Sequence, residues 1–309
     1  MAVVEIEHLS KDFFTGFWKK RPVRALDDLC LQVNEGEIFG FLGPNGAGKS
    51  TTLKLLMNLI SPTSGRARIL GRPATDTSMH QSIGYLPENP YFYDYLTPKE
   101  LLTYMGRLFG LRRGELSQRV ASLLDEVGLS HVPDVQLRKF SKGMVQRIGI
   151  AQAIINNPAV VFLDEPMSGL DPLGRMEVRR IIMSLKNRGA TIFFSSHILP
   201  DVETLCDRVA ILNRGRLRET GALDEILKVR IEGHEVIVSG WTEKTLAAVG
   251  DCCDEVRVMG ERLHLRAGKR EQLERLLSFI FTHRLDLISV SPIRQSLEDY
   301  FQSTMNRPQ

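Results

Sequence analysis

The run Gly43-Pro44-Asn45-Gly46-Ala47-Gly48-Lys49-Ser50-Thr51 limits what this chain can fold into more than any other segment. It matches G-x-x-x-x-G-K-[ST], a pattern that works where a buried strand turns sharply into a helix. Both flanks are present. Glu37-Ile38-Phe39-Gly40-Phe41-Leu42 reads as a buried strand, and Ser50 to Asn58 reads as a helix. The glycines let the backbone wrap closely round phosphate groups with its N–H groups pointing inward. The helix N-terminus adds partial positive charge. Lys49 is expected to reach the β- and γ-phosphates of a nucleotide, and Ser50 to ligate Mg²⁺. A Gly-rich turn without function is the competing reading, and the flanking strand and helix argue against it.

Strand-like and helical segments alternate through about the first 230 residues. Ala159-Val160-Val161-Phe162-Leu163 and Thr191-Ile192-Phe193-Phe194-Ser195 are apolar runs ending in polar residues. Such runs suit strands covered on both faces of a parallel sheet. Ligands of these sheets bind beyond the carboxyl ends of the strands. Asp164, Glu165 and His197 are therefore site candidates by position. An aspartate there can hold Mg²⁺ directly or through water, and the adjacent Glu165 can polarise an attacking water. Two neighbouring carboxylates elsewhere would be a solvated turn. Between Asn89 and Asn157 the pattern is mostly helical, with helices opening at Pro98 and running from about Leu116 to Val127, so a helical subdomain is expected inside the α/β core.

The 309 residues suffice for one large and one small domain. The net charge of +3, with both signs interspersed, gives no electrostatic case for nucleic acid. Lys19-Lys20-Arg21 and Arg112-Arg113 read as solvated loops. Cys30, Cys206, Cys252 and Cys253 show no zinc-ligand spacing and no dense disulfide framework, which points to reduced thiols in the cytoplasm. The alternating start, Met1 to Glu7, is strand-like and unlike a signal peptide. No stretch approaches the roughly 18 apolar residues of a membrane helix. A role in transport would need a separate membrane-spanning partner.

Phe140-Ser141-Lys142-Gly143-Met144, about twenty residues before Asp164, resembles the signature motif of the ATP-binding-cassette (ABC) ATPases, and Val145-Gln146-Arg147 continues it into a helix. The resemblance covers roughly residues 2 to 230. It implies that the cofactors are ATP and Mg²⁺. It also implies that Ser141 and the Gly143 backbone face the γ-phosphate of ATP bound to a second ATPase subunit, either a homodimer mate or a related chain. Lys142 and Met144 replace the usual glycine and glutamine, a variant similar to exporter-type members. Ser168-Gly169-Leu170-Asp171 resembles the family's D-loop at the dimer interface, and His197 resembles its switch histidine. Ile83-Gly84-Tyr85-Leu86-Pro87-Glu88 resembles the segment ending at the Q-loop, with Glu88 in place of glutamine. That carboxylate is expected near Mg²⁺ or the water. Adenine in this family stacks on an aromatic near the first strand, where Phe13 falls and where Phe14 and Phe17 compete.

The expected fold is α/β: a P-loop cassette over residues 1–230, with a helical subdomain at about 89–157, followed by a small α+β domain at 231–309. Strand-like runs at Glu235–Ser239, Glu255–Met259, Leu263–Arg266 and Leu285–Ser291 alternate with helical runs at Glu243–Val249 and Arg270–Thr282. That order is the ferredoxin-like plan, closed by a helix at Ser296–Thr304. The tail Ser296-Leu297-Glu298-Asp299-Tyr300-Phe301 is similar to those of exporter-type ATPases. The resemblance implies a motor on the cytoplasmic face of the membrane, driving an integral-membrane transporter subunit, with export favoured. An importer motor with a regulatory C-terminal domain, and a soluble ABC ATPase acting on ribosomes or DNA, are the alternatives. Asn89-Pro90-Tyr91-Phe92-Tyr93-Asp94-Tyr95 is either a buried aromatic cluster or an exposed groove for the membrane partner.

Overall fold

The computed structural model describes residues 1–16, 21–228, 231–294, 297, 298, 300 and 301. Phe17, the Lys19-Lys20 pair, and Ser296, Asp299 and residues 302–304 of the expected closing helix lie outside the described residues. The chain divides into two compact units, Met1–Leu223 and Asp224–Gln309.

The first unit holds two sheets. In the six-stranded sheet, β3 (Ile38–Leu42), β6 (Ile83–Leu86), β7 (Val160–Asp164), β8 (Thr191–Ser196), β9 (Arg208–Asn213) and β10 (Arg216–Ala222) run in the order β10-β9-β3-β8-β7-β6. All pairings are parallel except that of β10 with β9. Every residue of β3, β7 and β8 is buried, which is why these strands read as unbroken apolar runs rather than alternating ones. Phe193 of β8 sits at the centre of the packing, its ring 5.6 Å from Phe39, 5.3 Å from Phe41 and 5.7 Å from Phe162. Burying each of these side chains contributes about 1.5–3 kcal/mol relative to leaving it exposed.

The second sheet is antiparallel, built from β1 (Ala2–Thr15), β2 (Arg21–Asn34), β4 (Ser64–Ile69) and β5 (Arg72–Pro73) in the order β2-β1-β4-β5. Only the alternation at its start is legible in the sequence. The long pairing of β1 with β2 is irregular, with register shifts on either side of Leu9.

Helices cover the parallel sheet and form the segment between β6 and β7. The first, α1 (Lys49–Leu56), ends two residues before the expected Asn58 because Asn58 takes a left-handed conformation, φ 54°. Next, α2 (Pro98–Leu108) opens with a capping box between Thr97 and Glu100 and a proline in its first turn. Then follow α3 (Arg113–Glu126) and α4 (Lys142–Ala153), then α5 (Pro172–Asn187) and α6 (Leu199–Leu205). Of the aromatic run after Glu88, Tyr91 is 93% exposed and Tyr93 and Tyr95 are exposed, while Phe92 is half-buried. The reading of that run as a buried cluster is therefore overturned. Three of the four rings face solvent.

After α7 (Leu223–Lys228), the second unit runs β11 (Ile231–Ser239), α8 (Glu243–Val249), β12 (Glu255–Met259), β13 (Arg262–Ala267), α9 (Arg270–Thr282) and β14 (Asp286–Arg294). Its sheet has the order β12-β13-β11-β14 with all neighbours antiparallel, which is the split βαβ arrangement. Alternate residues Val236, Val238, Leu263, Leu265 and Ala267 point to one face and pack with Val249, Leu276 and Ile280 of the helices.

Candidate functional site

Four adjacent parallel strands end at one edge of the sheet, and each leads into a segment singled out by sequence. β3 leads into the loop Gly43–Gly48, β8 into His197, β7 into Glu165, and β6 through Pro87 into Glu88. The pairings Leu42 with Ser196, Asp164 with Ser195 and Leu86 with Leu163 bring these ends level. A cleft opens there, lined by Pro44 to Thr51, Ala25, Glu88 and Glu165.

The loop's shape depends on glycine at two points. Gly48 caps α1 with φ 111°, and a Cβ there would lie 2.7 Å from the Ala25 carbonyl oxygen. A Cβ on Gly43 would lie 2.5 Å from the Leu212 carbonyl oxygen. No other residue meets both the left-handed backbone and the close approach at Gly48 without displacing β2.

Lys49 begins α1 and is buried. Its Nζ donates to the Gly43 carbonyl at 2.7 Å and to that of Pro44 at 3.3 Å, and lies 3.1 Å from Glu165 Oε1. Both side chains are about 5% exposed, so the pair is shielded from solvent screening. His197 Nδ1 is 2.8 Å from Glu165 Oε2. The carboxylate is thus held on both oxygens, by an ammonium on one side and an imidazole on the other. Glu165 itself has φ 49°, rare for a residue with a side chain, which turns it away from the line of β7.

Behind it, Ser195 joins the two acids. Its hydroxyl donates to Asp164 Oδ1 at 2.6 Å and accepts from the Glu165 N–H at 3.0 Å. Sequence reading passed over Ser195, although a serine ending an otherwise apolar strand is the signal that marks it. Tyr85 of β6 is half-buried, and burial, with the Asp164 charge adding to it, pushes its phenol up to about 12. It therefore stays neutral beside that carboxylate. Ser195→Ala should cost about 1–3 kcal/mol, because it deprives the buried Asp164 oxygen of its donor. Urea unfolding measures this directly, and an unchanged midpoint would mean that water replaces the hydroxyl.

Ser50 and Glu88 line the cleft and Asp164 ends the adjoining strand β7; their hydroxyl and carboxylate oxygens are the kind that a hard cation such as Mg²⁺ takes. Other expected site residues lie apart from the cleft lining. Ser141 is exposed and caps α4, accepting from the Met144 N–H at 3.3 Å, with Gly143 in the first turn. Asp171 caps α5 by accepting from the Gly174 N–H at 3.1 Å. Phe13 lies on β1 opposite Val23, 40% exposed, with Lys11 Nζ 5.1 Å from its ring centre.

The family model described as ABC transporter matches residues 26–168. A protein of Synechocystis sp. described as an uncharacterised ABC transporter ATP-binding protein is 48% identical over 302 residues, covering 97% of this chain and 83% of the relative. The chain belongs to the ABC transporter ATP-binding proteins. The bacitracin transport ATP-binding protein of Bacillus licheniformis is 37% identical over 90% of this chain and 91% of its own. A solved structure described as the ATP-binding subunit of an ABC transporter is 34% identical with a TM-score of 0.63, covering 72% of this chain and 91% of that one.

This ABC protein is accordingly an ATPase, the ATP-binding motor subunit of an ABC transporter. ABC ATP-binding subunits dimerise and work with membrane-spanning partners. Among the described residues, no helix is long and apolar enough to cross a membrane.

Proposed function

We propose that this ABC subunit drives export through a separate integral-membrane partner, by closing on a second ATPase subunit around two ATP molecules and reopening after hydrolysis. The observation that carries the chemistry is the buried Lys49–Glu165 pair at the mouth of the phosphate loop, joined on its exposed side by His197. Loop N–H groups and the α1 N-terminus bind the phosphates. Lys49 exchanges its contacts with Gly43, Pro44 and Glu165 for the β- and γ-phosphate oxygens. That exchange frees Glu165 Oε1 to accept a proton from the attacking water, while His197 keeps Oε2 oriented and senses the γ-phosphate. Ser50 and Asp164 would hold Mg²⁺, with Glu88 at the rim. Bound there, the ion supplies charge neutralisation for the phosphate oxygens. Phe13 is the proposed adenine platform.

Ser141 and the Gly143 N–H of the partner subunit complete each site from across the dimer, and Asp171 lies at the same interface. The exposed position of Ser141 at the α4 N-terminus suits an anionic ligand brought by another chain. ATP then acts as interfacial ligand, stabilising the closed dimer by mass action. Loss of the γ-phosphate contacts releases it. Export is supported by the signature variant Ser141-Lys142-Gly143-Met144, by Glu88, and by similarity to a bacitracin transport ATP-binding protein.

The membrane partner docks on the tyrosines after Glu88. Movement of that loop with the γ-phosphate would carry Tyr91 and Tyr93 with it, and exposed aromatic side chains are common anchors at interfaces. The test is copurification from membranes, followed by transport into inside-out vesicles. ATP-driven uptake into such vesicles is expected. Tyr91→Ala with Tyr93→Ala should reduce recovery of the partner while sparing ATP binding. Wild-type recovery by the folded double variant would move the docking site elsewhere, and uptake only into right-side-out vesicles would make the subunit an importer motor.

Residues 231–309 are read as an accessory domain dispensable for phosphate chemistry, because every cleft residue precedes residue 200 and the second unit packs its own core. A chain ending after Val229 should bind ATP with the dissociation constant of the full chain, measured by nucleotide titration. Loss of binding in a folded truncation would assign that domain a part in the site.

A further inference from the structure

Upstream of the phosphate loop, the irregular stretch of β1 and β2 draws three unlike metal-binding side chains together. His8 lies on β1, and Asp28 and Cys30 lie on β2. One ligand atom from each falls within 4.8 Å of the other two. His8 Nδ1 is 2.8 Å from Asp28 Oδ1 and 3.6 Å from Cys30 Sγ, so one ring nitrogen serves both. The His8 backbone N–H also points at Cys30 Sγ, at 3.3 Å.

The backbone is bent to achieve this. His8 has φ 50° and Asp28 has φ 56°, both in the left-handed region that residues with side chains rarely enter. The two lie across the strand pair from one another, where register shifts flank Leu9. A regular antiparallel ladder would set residues 8 and 28 apart in register and facing. The Asp28 N–H is held by the Ser10 hydroxyl at 3.0 Å, and Gly65 leaves room for the displaced His8 carbonyl, which a Cβ there would approach to 2.1 Å.

We propose that His8, Asp28 and Cys30 form a surface site for a divalent cation of the zinc class, with water completing the coordination. One imidazole nitrogen, one thiolate and one carboxylate suit zinc, which binds sulfur at about 2.3 Å and nitrogen or oxygen at about 2.0–2.2 Å. Tetrahedral edges built from those lengths are about 3.4–3.6 Å. The present Nδ1–Sγ distance already falls there, and a small rotation of the Asp28 carboxyl opens the Nδ1–Oδ1 edge. On binding, the Cys30 thiol loses its proton to solvent as the metal–sulfur bond forms, and the imidazole binds in its neutral form. The cysteines show no zinc-ligand spacing along the sequence because the site is assembled across two strands. It would pin β1 to β2, on the sheet that supplies Ala25 to the nucleotide cleft.

The test uses the full chain, stripped with chelator and titrated with Co²⁺ as a spectroscopic probe, then with Zn²⁺. One Co²⁺ per chain should bind with a thiolate-to-cobalt charge-transfer band, and Zn²⁺ should displace it. Cys30→Ser should abolish the band while Cys206, Cys252 and Cys253 remain as internal controls. His8→Asn and Asp28→Asn should each weaken Zn²⁺ binding at least about tenfold, and asparagine tolerates the left-handed backbone at both positions. Unaltered Mg²⁺-dependent ATPase activity would report that the variants are folded. Absence of the band in the wild-type chain, its persistence in Cys30→Ser, or wild-type Zn²⁺ affinity in His8→Asn would each reduce the cluster to a surface ion pair.

Discussion

Lys49→Ala should lower ATP turnover by about 10²–10³-fold, the usual cost of removing one fixed donor from developing negative charge. Nucleotide binding should weaken with it, because the lysine is the fixed cation among the residues lining the cleft. The structure adds an effect on folding. Lys49 is also a buried partner of Glu165 at 3.1 Å. Breaking a buried pair from one side costs about 3–5 kcal/mol, since the remaining charge stays desolvated. His197, 2.8 Å from the other Glu165 oxygen and partly exposed, moderates that cost. The double variant Lys49→Ala with Glu165→Gln should therefore be more stable than Lys49→Ala alone, a coupling that a double-mutant cycle in urea would measure. Near-normal turnover in Lys49→Ala would remove the phosphate-loop assignment. Additive stabilities would show that the ion pair is not formed in solution.

Glu165→Gln should slow hydrolysis by about 10²–10⁴-fold, because an amide cannot accept the proton of the attacking water. Binding should survive. Glutamine keeps the shape of the side chain and an oxygen for Lys49, and the lysine retains the carbonyls of Gly43 and Pro44. With the γ-phosphate left intact, the closed dimer should accumulate in ATP and Mg²⁺. Light scattering or size-exclusion chromatography reads this as a doubling of mass that reverses on removing nucleotide. A variant that binds ATP yet stays monomeric would sink the sandwich for the isolated subunit. A variant with full turnover would pass the base role to another group, for which His197 is the nearest candidate.

Much of this site could be read from the residues alone because its parts are local. The phosphate loop is nine consecutive residues whose strand and helix adjoin it, so glycine geometry, helix N-terminus and lysine come together without long-range information. The acids at Asp164 and Glu165 follow an apolar run whose two-sided burial predicts where the strand ends. Helix limits such as Glu243–Val249 and Arg270–Thr282 were legible from spacing. What could not be read is what distance along the chain conceals. The strand order β9-β3-β8-β7-β6 is set by how whole layers pack, and only that order brings Lys49 to Glu165 and makes Ser195 the bridge between Asp164 and the Glu165 backbone. Apolar content alone left the tyrosines after Glu88 undecided, since composition says that aromatics cluster and not which face they are given. The meeting of His8 with Asp28 and Cys30 depends on a local slip in register between two strands. Such a slip leaves the apolar pattern of each strand readable while changing which residues stand opposite one another. Periodicity and turn chemistry act between near neighbours in the chain, whereas juxtaposition across strands is fixed by the packing of the whole fold.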